Sequence, residues 1–185
     1  MIKIGLTGGI GTGKTYLSSY FEKMGIPVFH SDDEVKKLYK NEDVLKDMRK
    51  EFPKEELWND DGSLNMKELS NAFNDKEFLK RLTLFIHPYV STCFSTWAQK
   101  QGTSSVIMES AIIFEYGFEK NFDMIIVADA PLELRIKRIL LRNPNLTRDD
   151  VLKRMSCQIS QEEKCFRADL VMCTGETYEE SLKLR

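Results

Sequence analysis

Eight residues near the start of the chain, Gly8-Gly9-Ile10-Gly11-Thr12-Gly13-Lys14-Thr15, fit the pattern G-x-x-x-x-G-K-[ST], with the apolar run Ile2–Thr7 before them and a helix-like segment, Tyr16 to Met24, after. The glycines matter because the backbone must curl, through positive φ angles, until successive N–H groups point at one anion. Those donors and the start of the following helix form an anion seat. In such a loop Lys14 places a point charge on the outer phosphates of a nucleotide and Thr15 lends its hydroxyl to Mg²⁺. Average residue usage puts the chance occurrence of the full pattern in a chain this long below roughly one in a hundred. The stretch therefore predicts a strand, a phosphate loop and a helix, with ATP and Mg²⁺ as the expected ligands and Gly8, Gly9, Gly11, Thr12, Gly13, Lys14, Thr15 and Tyr16 as the nucleotide site.

Four further strands are expected. Gly25 ends the first helix, and Ile26-Pro27-Val28-Phe29-His30 reads as a second strand; Val106-Ile107-Met108-Glu109, Met124–Asp129 and Leu170–Cys173 are further apolar runs of strand length. Strand–helix–strand units imply a parallel sheet covered on both faces. Ser31-Asp32-Asp33-Glu34 follows the second strand and has two readings: a helix-capping box with dipole-favoured acids, or a carboxylate, Asp32, at the strand edge where doubly wound sheets bind ligands. Glu109, the acid that closes the third strand, suits support of Mg²⁺ opposite Thr15 or is simply a strand-end acid. Asp129 is read as a helix cap.

From about residue 41 to residue 101 the apolar spacing turns helical, with Leu45, Met48, Phe52, Leu57, Trp58, Leu64, Leu69, Phe73, Phe78, Leu82, Phe85 and Ile86 as the content of a small bundle. The turn Asn59-Asp60-Asp61-Gly62-Ser63 interrupts it, and His87-Pro88 is expected to end a helix because a proline restricts the residue before it. His87 at that break is structural or reaches a bound anion. This insertion divides a core of residues 1–40 and 102–185.

Pro131 to Asn143 forms a helix carrying Arg138 and Arg142 on one face, and a turn at Asn143-Pro144-Asn145 leads to a second polar helix near Arg148. Such a charged hairpin is usually a solvated surface. Beside a phosphate loop it also fits a lid, residues 135–157, that closes its arginines over a triphosphate.

Composition narrows the class. A 185-residue chain with 42% hydrophobic residues, 30% charged residues and a net charge of −2 is an ordinary soluble globule without the basic excess of a nucleic-acid binder. Met1 leads straight into a strand pattern and no apolar run reaches about 18 residues, so neither a secretory leader nor a membrane span is expected and the address is cytoplasmic. The four cysteines, Cys93, Cys157, Cys165 and Cys173, lack metal-ligand spacing and are read as reduced. No Asn-Lys-x-Asp run exists to read guanine.

The combination resembles the dephospho-CoA kinase family. The resemblance rests on Ile4 to Thr15, Ile26-Pro27-Val28 leading to Asp32, Ile86-His87-Pro88, Phe114-Glu115, Asp129-Ala130-Pro131, and Gln158 with Glu162-Glu163-Lys164 and Arg167-Ala168-Asp169. It implies a three-layer α/β P-loop kinase with a parallel sheet in the order 2-3-1-4-5, ATP-dependent phosphorylation of the ribose 3′-hydroxyl of dephospho-CoA, and a small-molecule acceptor, dephospho-CoA, as partner, with no nucleic acid or membrane. Asp32 inherits the role of general base, with Lys14, Arg138 and Arg142 as charge-stabilising catalytic residues, and His87 and Phe114 join Asp32 as substrate contacts. The family's Asp-x-Asp after the second strand is here His30-Ser31-Asp32, and its Asp-x-Pro-Leu-Leu-Phe-Glu is Glu109-Ser110-Ala111-Ile112-Ile113-Phe114-Glu115.

Overall fold

A computed structural model describes residues 1–53, 57–72 and 75–175. The chain divides into two compact units, residues 1–30 with 100–185, and residues 31–99. The first unit holds a five-stranded parallel sheet, β1 (Ile2–Thr7), β2 (Val28–His30), β3 (Ser105–Glu109), β4 (Met124–Asp129) and β5 (Leu170–Cys173), in the order 2-3-1-4-5. The pairing brings the ends of the strands into line: Leu6 lies opposite Glu109, His30 opposite Glu109, Thr7 opposite Val127, and Asp129 opposite Cys173.

The strands read as unbroken apolar runs because both sheet faces are covered. Alternate residues of β4 part company: Ile126 and Ala128 join Leu6, Val28, Ile107 and Met172 in a cluster with Leu17 and Phe21 of helix α1 (Lys14–Lys23). Ile125 and Val127 pack instead with Ile113, Phe114, Ile159, Cys165 and Ala168. On that second face lies α8 (Gln161–Arg167); in the two helices before it, α6 (Leu132–Arg142) and α7 (Arg148–Met155), Ile136, Ile139 and Val151 close a hairpin around Ile10 and Leu146. Asp129 does not cap α6. Pro131 occupies the N-cap position without a side-chain bond, since its fixed φ of −53° already prepares the first turn.

The second unit contains α2 (Ser31–Leu38), α3 (Glu42–Glu51), α4 (Met66–Ala72) and α5 (Lys76–Gln99). Ser31 is the first helical residue of α2 rather than its cap. The core joins Met48, Phe52, Leu57, Leu69, Phe78 and Leu82, with Tyr39, Trp58, Leu64 and Phe85 against it. Gly62, at φ +84°, turns the short loop between Trp58 and Leu64.

The expected helix end at His87-Pro88 does not occur: α5 runs through both residues. Phe78, Leu82, Ile86, Val90, Phe94 and Ala98 recur every four residues and are all buried, so one continuous apolar stripe outweighs the hydrogen bond that Pro88 cannot make. Phe73 lies outside the described residues, as does the segment from Tyr178 to Arg185, where the sequence predicts the start of a last helix. All four cysteines are free thiols. Among the described residues no helix is long and apolar enough to cross a membrane.

Candidate active site

Each carbonyl of the loop between β1 and α1, from Gly8 to Gly13, accepts a hydrogen bond. Lys14 Nζ donates to Gly8 O at 3.0 Å, and Gly9 O accepts from Thr12 Oγ1 at 2.9 Å and Thr12 N at 3.3 Å. Ile10 O accepts from Arg135 Nε at 3.0 Å, Gly11 O from Arg138 Nη1 at 3.4 Å, Thr12 O from Thr174 Oγ1 at 2.6 Å, and Gly13 O from Leu17 N at 3.1 Å. With these oxygens engaged, the N–H groups of Gly11 and Gly13 make no hydrogen bond among the described residues. They stand beside the first turn of α1, whose leading N–H groups have no partner within a helix. This is the arrangement of an anion seat.

Glycine is required at two of these turns for different reasons. Gly13 has φ +88°, and a Cβ there would also lie 2.8 Å from Thr174 Oγ1. Gly9 has no such φ constraint, but a Cβ on it would stand 2.5 Å from Arg135 Nη2 and 3.0 Å from Gln161 Oε1. Thr12 is fully buried, whereas Thr15 and Tyr16 are exposed at the helix start.

The two arginines expected in a lid, Arg138 and Arg142, diverge. Arg142, in the last turn of α6, is exposed and makes no hydrogen bond or ion pair among the described residues. Arg138 turns back to the loop, donating to Thr174 Oγ1 at 2.8 Å, Gly175 O at 2.8 Å and Thr174 O at 3.2 Å besides Gly11 O, and so ties the end of β5 to the phosphate loop. Across the hairpin Arg148 holds Glu133 through both nitrogens, at 2.9 and 2.8 Å.

The family model described as dephospho-CoA kinase matches residues 2–179. The chain belongs to the dephospho-CoA kinase family. A dephospho-CoA kinase of Bacteroides fragilis is 38% identical over 173 residues, which span 92% of this chain and 83% of that one. Among solved structures, TT1252 from Thermus thermophilus superposes with a TM-score of 0.83 at 30% identity, covering 97% of this chain and 91% of its own. A dephospho-CoA kinase from Campylobacter jejuni does so at 0.63 and 26% identity, covering 96% and 90%.

His30 and Glu109, which stand where the family resemblance sets an aspartate, are paired with each other. His30 Nδ1 lies 3.1 Å from Glu109 Oε2, with Glu22 Oε1 3.6 Å from Nε2 on the other side. Burial pushes the imidazole pKa down, but the hydrogen bonds and charges of Glu109 and Glu22 outweigh it and hold the value above its ordinary 6.5. Glu109 Oε1 has no hydrogen-bond partner among the described residues.

Asp32 and Asp33, equivalent by sequence, differ in their bonds. Asp33 pairs with Lys36 at 2.8 Å, while Asp32 is exposed and takes part in no hydrogen bond or ion pair among the described residues. His87 is half-buried within α5, and burial lowers its pKa. Phe114 belongs to the core: it is 3% exposed, packed on β4, with the Arg167 guanidinium 4.5 Å from its ring centre.

Sequence reasoning missed the polar residues behind the loop. Arg135 is 7% exposed, and burial pushes its pKa below the ordinary range, partly offset by Asp129 and Glu162. Gln158, Gln161 and Thr174 also bond the loop, from 148 to 162 residues away in sequence. Only the match of Gln158 to the family pattern hinted at this. Behind them, fully buried Lys164 donates to Ala111 O at 2.8 Å and pairs with Glu115, while Arg167 pairs with Glu119 at 2.5 Å. These bonds fasten α8 to the segment after β3.

Proposed function

We propose the following roles in the ATP-dependent phosphorylation of dephospho-CoA. The loop from Gly8 to Thr15, with Tyr16, seats the triphosphate, and Lys14 neutralises charge that builds on the transferring γ-phosphoryl group. Asp32 accepts the proton of the ribose 3′-hydroxyl as the oxygen attacks phosphorus, and ADP departs. Its freedom from competing bonds supports this role over Asp33. Arg142 supplies charge from the lid, residues 135–157, and the bonds of Arg138 to four backbone and hydroxyl oxygens suit it to hold the loop from behind. His87 is a candidate contact for the acceptor's phosphates.

The residues present fit Mg²⁺. Thr15 carries an exposed hydroxyl in the first turn of α1, and Glu109 keeps one carboxylate oxygen unpartnered among the described residues. That agrees with an ion that takes one or two protein ligands and completes its shell with phosphate and water. When bound, Mg²⁺ offsets charge on the β- and γ-phosphates.

The observation that carries this reading is the loop backbone, with its carbonyls engaged and the N–H groups of Gly11 and Gly13 left over. The test is incubation with MgATP and a panel of dephospho-CoA, nucleosides, shikimate and pantothenate, following ADP release. Coenzyme A formed from dephospho-CoA alone is the expected outcome; release with every acceptor, or with none, contradicts it.

A further inference from the structure

The front of the phosphate loop is held by two neutral amide side chains. Gln161 Oε1 accepts from Gly9 N at 2.9 Å, and Gln158 Oε1 accepts from Ile10 N at 3.0 Å. Gln161 is 8% exposed and its position is itself fixed, because Nε2 donates to Ala128 O, at the end of β4, at 2.9 Å. Ile10 is thus bonded through both backbone groups, its N–H by Gln158 and its C=O by Arg135, while its side chain packs against Ile136, Ile139 and Val151 of the α6–α7 hairpin.

Two physical consequences follow. A loop whose N–H groups converge on empty space is electrostatically unfavourable, so a curve held in advance costs less when the anion arrives. With the N–H groups of Gly9 and Ile10 bonded to the glutamines, Gly11 and Gly13 are the later donors of the loop left without a partner among the described residues. The acceptor chemistry matters as well. Glu162 and Glu163 adjoin Gln161 in sequence, yet the two side chains that accept from the N–H groups of the loop are uncharged. A carboxylate in hydrogen-bond contact with the loop would accept the same N–H but repel a triphosphate.

We propose that Gln158 and Gln161 are positioning residues for ATP: they preset the front of the phosphate loop and link it to the helices that follow β4, without adding negative charge beside the phosphates. The inference rests on the reading of the loop as the ATP seat.

The test is calorimetric titration of wild type, Gln158→Met, Gln158→Glu and Gln161→Met with MgATP in the absence of acceptor, with thermal melting and the KM of each substrate measured alongside. Gln158→Met is expected to raise the Kd for MgATP and the KM for ATP roughly tenfold, the scale of leaving one donor of an organised site unpaired, while the KM for dephospho-CoA changes little. Gln158→Glu is expected to keep the wild-type Tm, because the acceptor survives, and still to weaken MgATP binding. A purely structural role predicts the opposite pattern, a lower Tm for Gln158→Met with MgATP affinity unchanged, or equal rises in both KM values, and either overturns the inference. Gln161→Met should follow Gln158→Met; if it does not fold, the Gln158 pair decides alone. Failure of wild type to bind MgATP would instead refute the ATP seat itself, and this inference with it.

Discussion

Replacing Lys164 by methionine should destabilise the protein severely, and the structure sets the scale. Its ammonium group is fully buried, donates to Ala111 O at 2.8 Å and pairs with Glu115, whose side chain is 10% exposed. Burial pulls the Lys164 pKa below its ordinary value, with Glu115 acting against that pull. Glu115 Oε2 already has no hydrogen-bond partner among the described residues. Removing the lysine leaves a buried carboxylate with neither of its oxygens compensated, a situation that costs about 3–5 kcal/mol. For a domain of this length that is a fall in Tm of roughly 6–20 °C. The double change Lys164→Met with Glu115→Leu removes both charges and should recover most of the loss, since a buried pair replaced by apolar groups is often neutral. Urea unfolding of the wild type and three variants closes the cycle. A loss below about 1 kcal/mol for Lys164→Met, or a double variant no better than the single, would refute the reasoning, because the pair would then behave like an exposed one.

Three other outcomes are expected. Lys14→Ala should lower turnover by about 10²–10³ with thermal stability preserved, as judged by steady-state kinetics and melting. Arg142→Lys should depress kcat more than Tm, because an ammonium cannot reproduce the guanidinium's two-pronged contact with phosphate, and Lys153→Ala serves as the surface control. The third concerns pH. His30 has its pKa raised in the folded state, so its bonds to Glu109 and Glu22 contribute stability fully below the unfolded value of 6.5 and lose it as pH rises through the folded value. The Tm difference between wild type and His30→Asn should therefore shrink as pH rises above about 6.5; a difference that grows with rising pH contradicts the assignment.

Much of the fold could be read from local pattern. The strands β1, β3, β4 and β5 are continuous apolar runs because a doubly covered sheet demands them, and the phosphate loop announces itself through glycines that the backbone path requires. Pro88 misled for the reverse reason: its local rule is real, but the buried stripe from Phe78 to Ala98 exerts a larger force spread over six residues. The site was legible only in its nearest part. Lys14 and the glycines are consecutive in sequence, whereas Arg135, Gln158, Gln161 and Thr174 reach the loop across more than a hundred residues and carry no periodic signal. Arg138 shows the same limit. Helical spacing set it on one face with Arg142, but its side chain finds the carbonyls of Gly11, Thr174 and Gly175. Nor does any sequence rule foretell that the two departures from the family pattern, His30 and Glu109, would meet across adjacent strands.

The central claim, that this chain phosphorylates the hydroxyl of dephospho-CoA with Asp32 as the base, is tested most directly by kcat at saturating MgATP and dephospho-CoA for wild type, Asp32→Asn and Asp33→Asn. As a first-turn helix acid Asp32 would matter only to stability, by about 0.3–1 kcal/mol, and an amide would keep its shape. As the base, its loss should lower kcat by roughly 10²–10⁴ while the Tm and MgATP affinity stay near wild type. Asp33→Asn shares the helix position and the charge lost but breaks the surface pair with Lys36, and should form coenzyme A at close to the wild-type rate. Equal rates for the two variants would contradict the account.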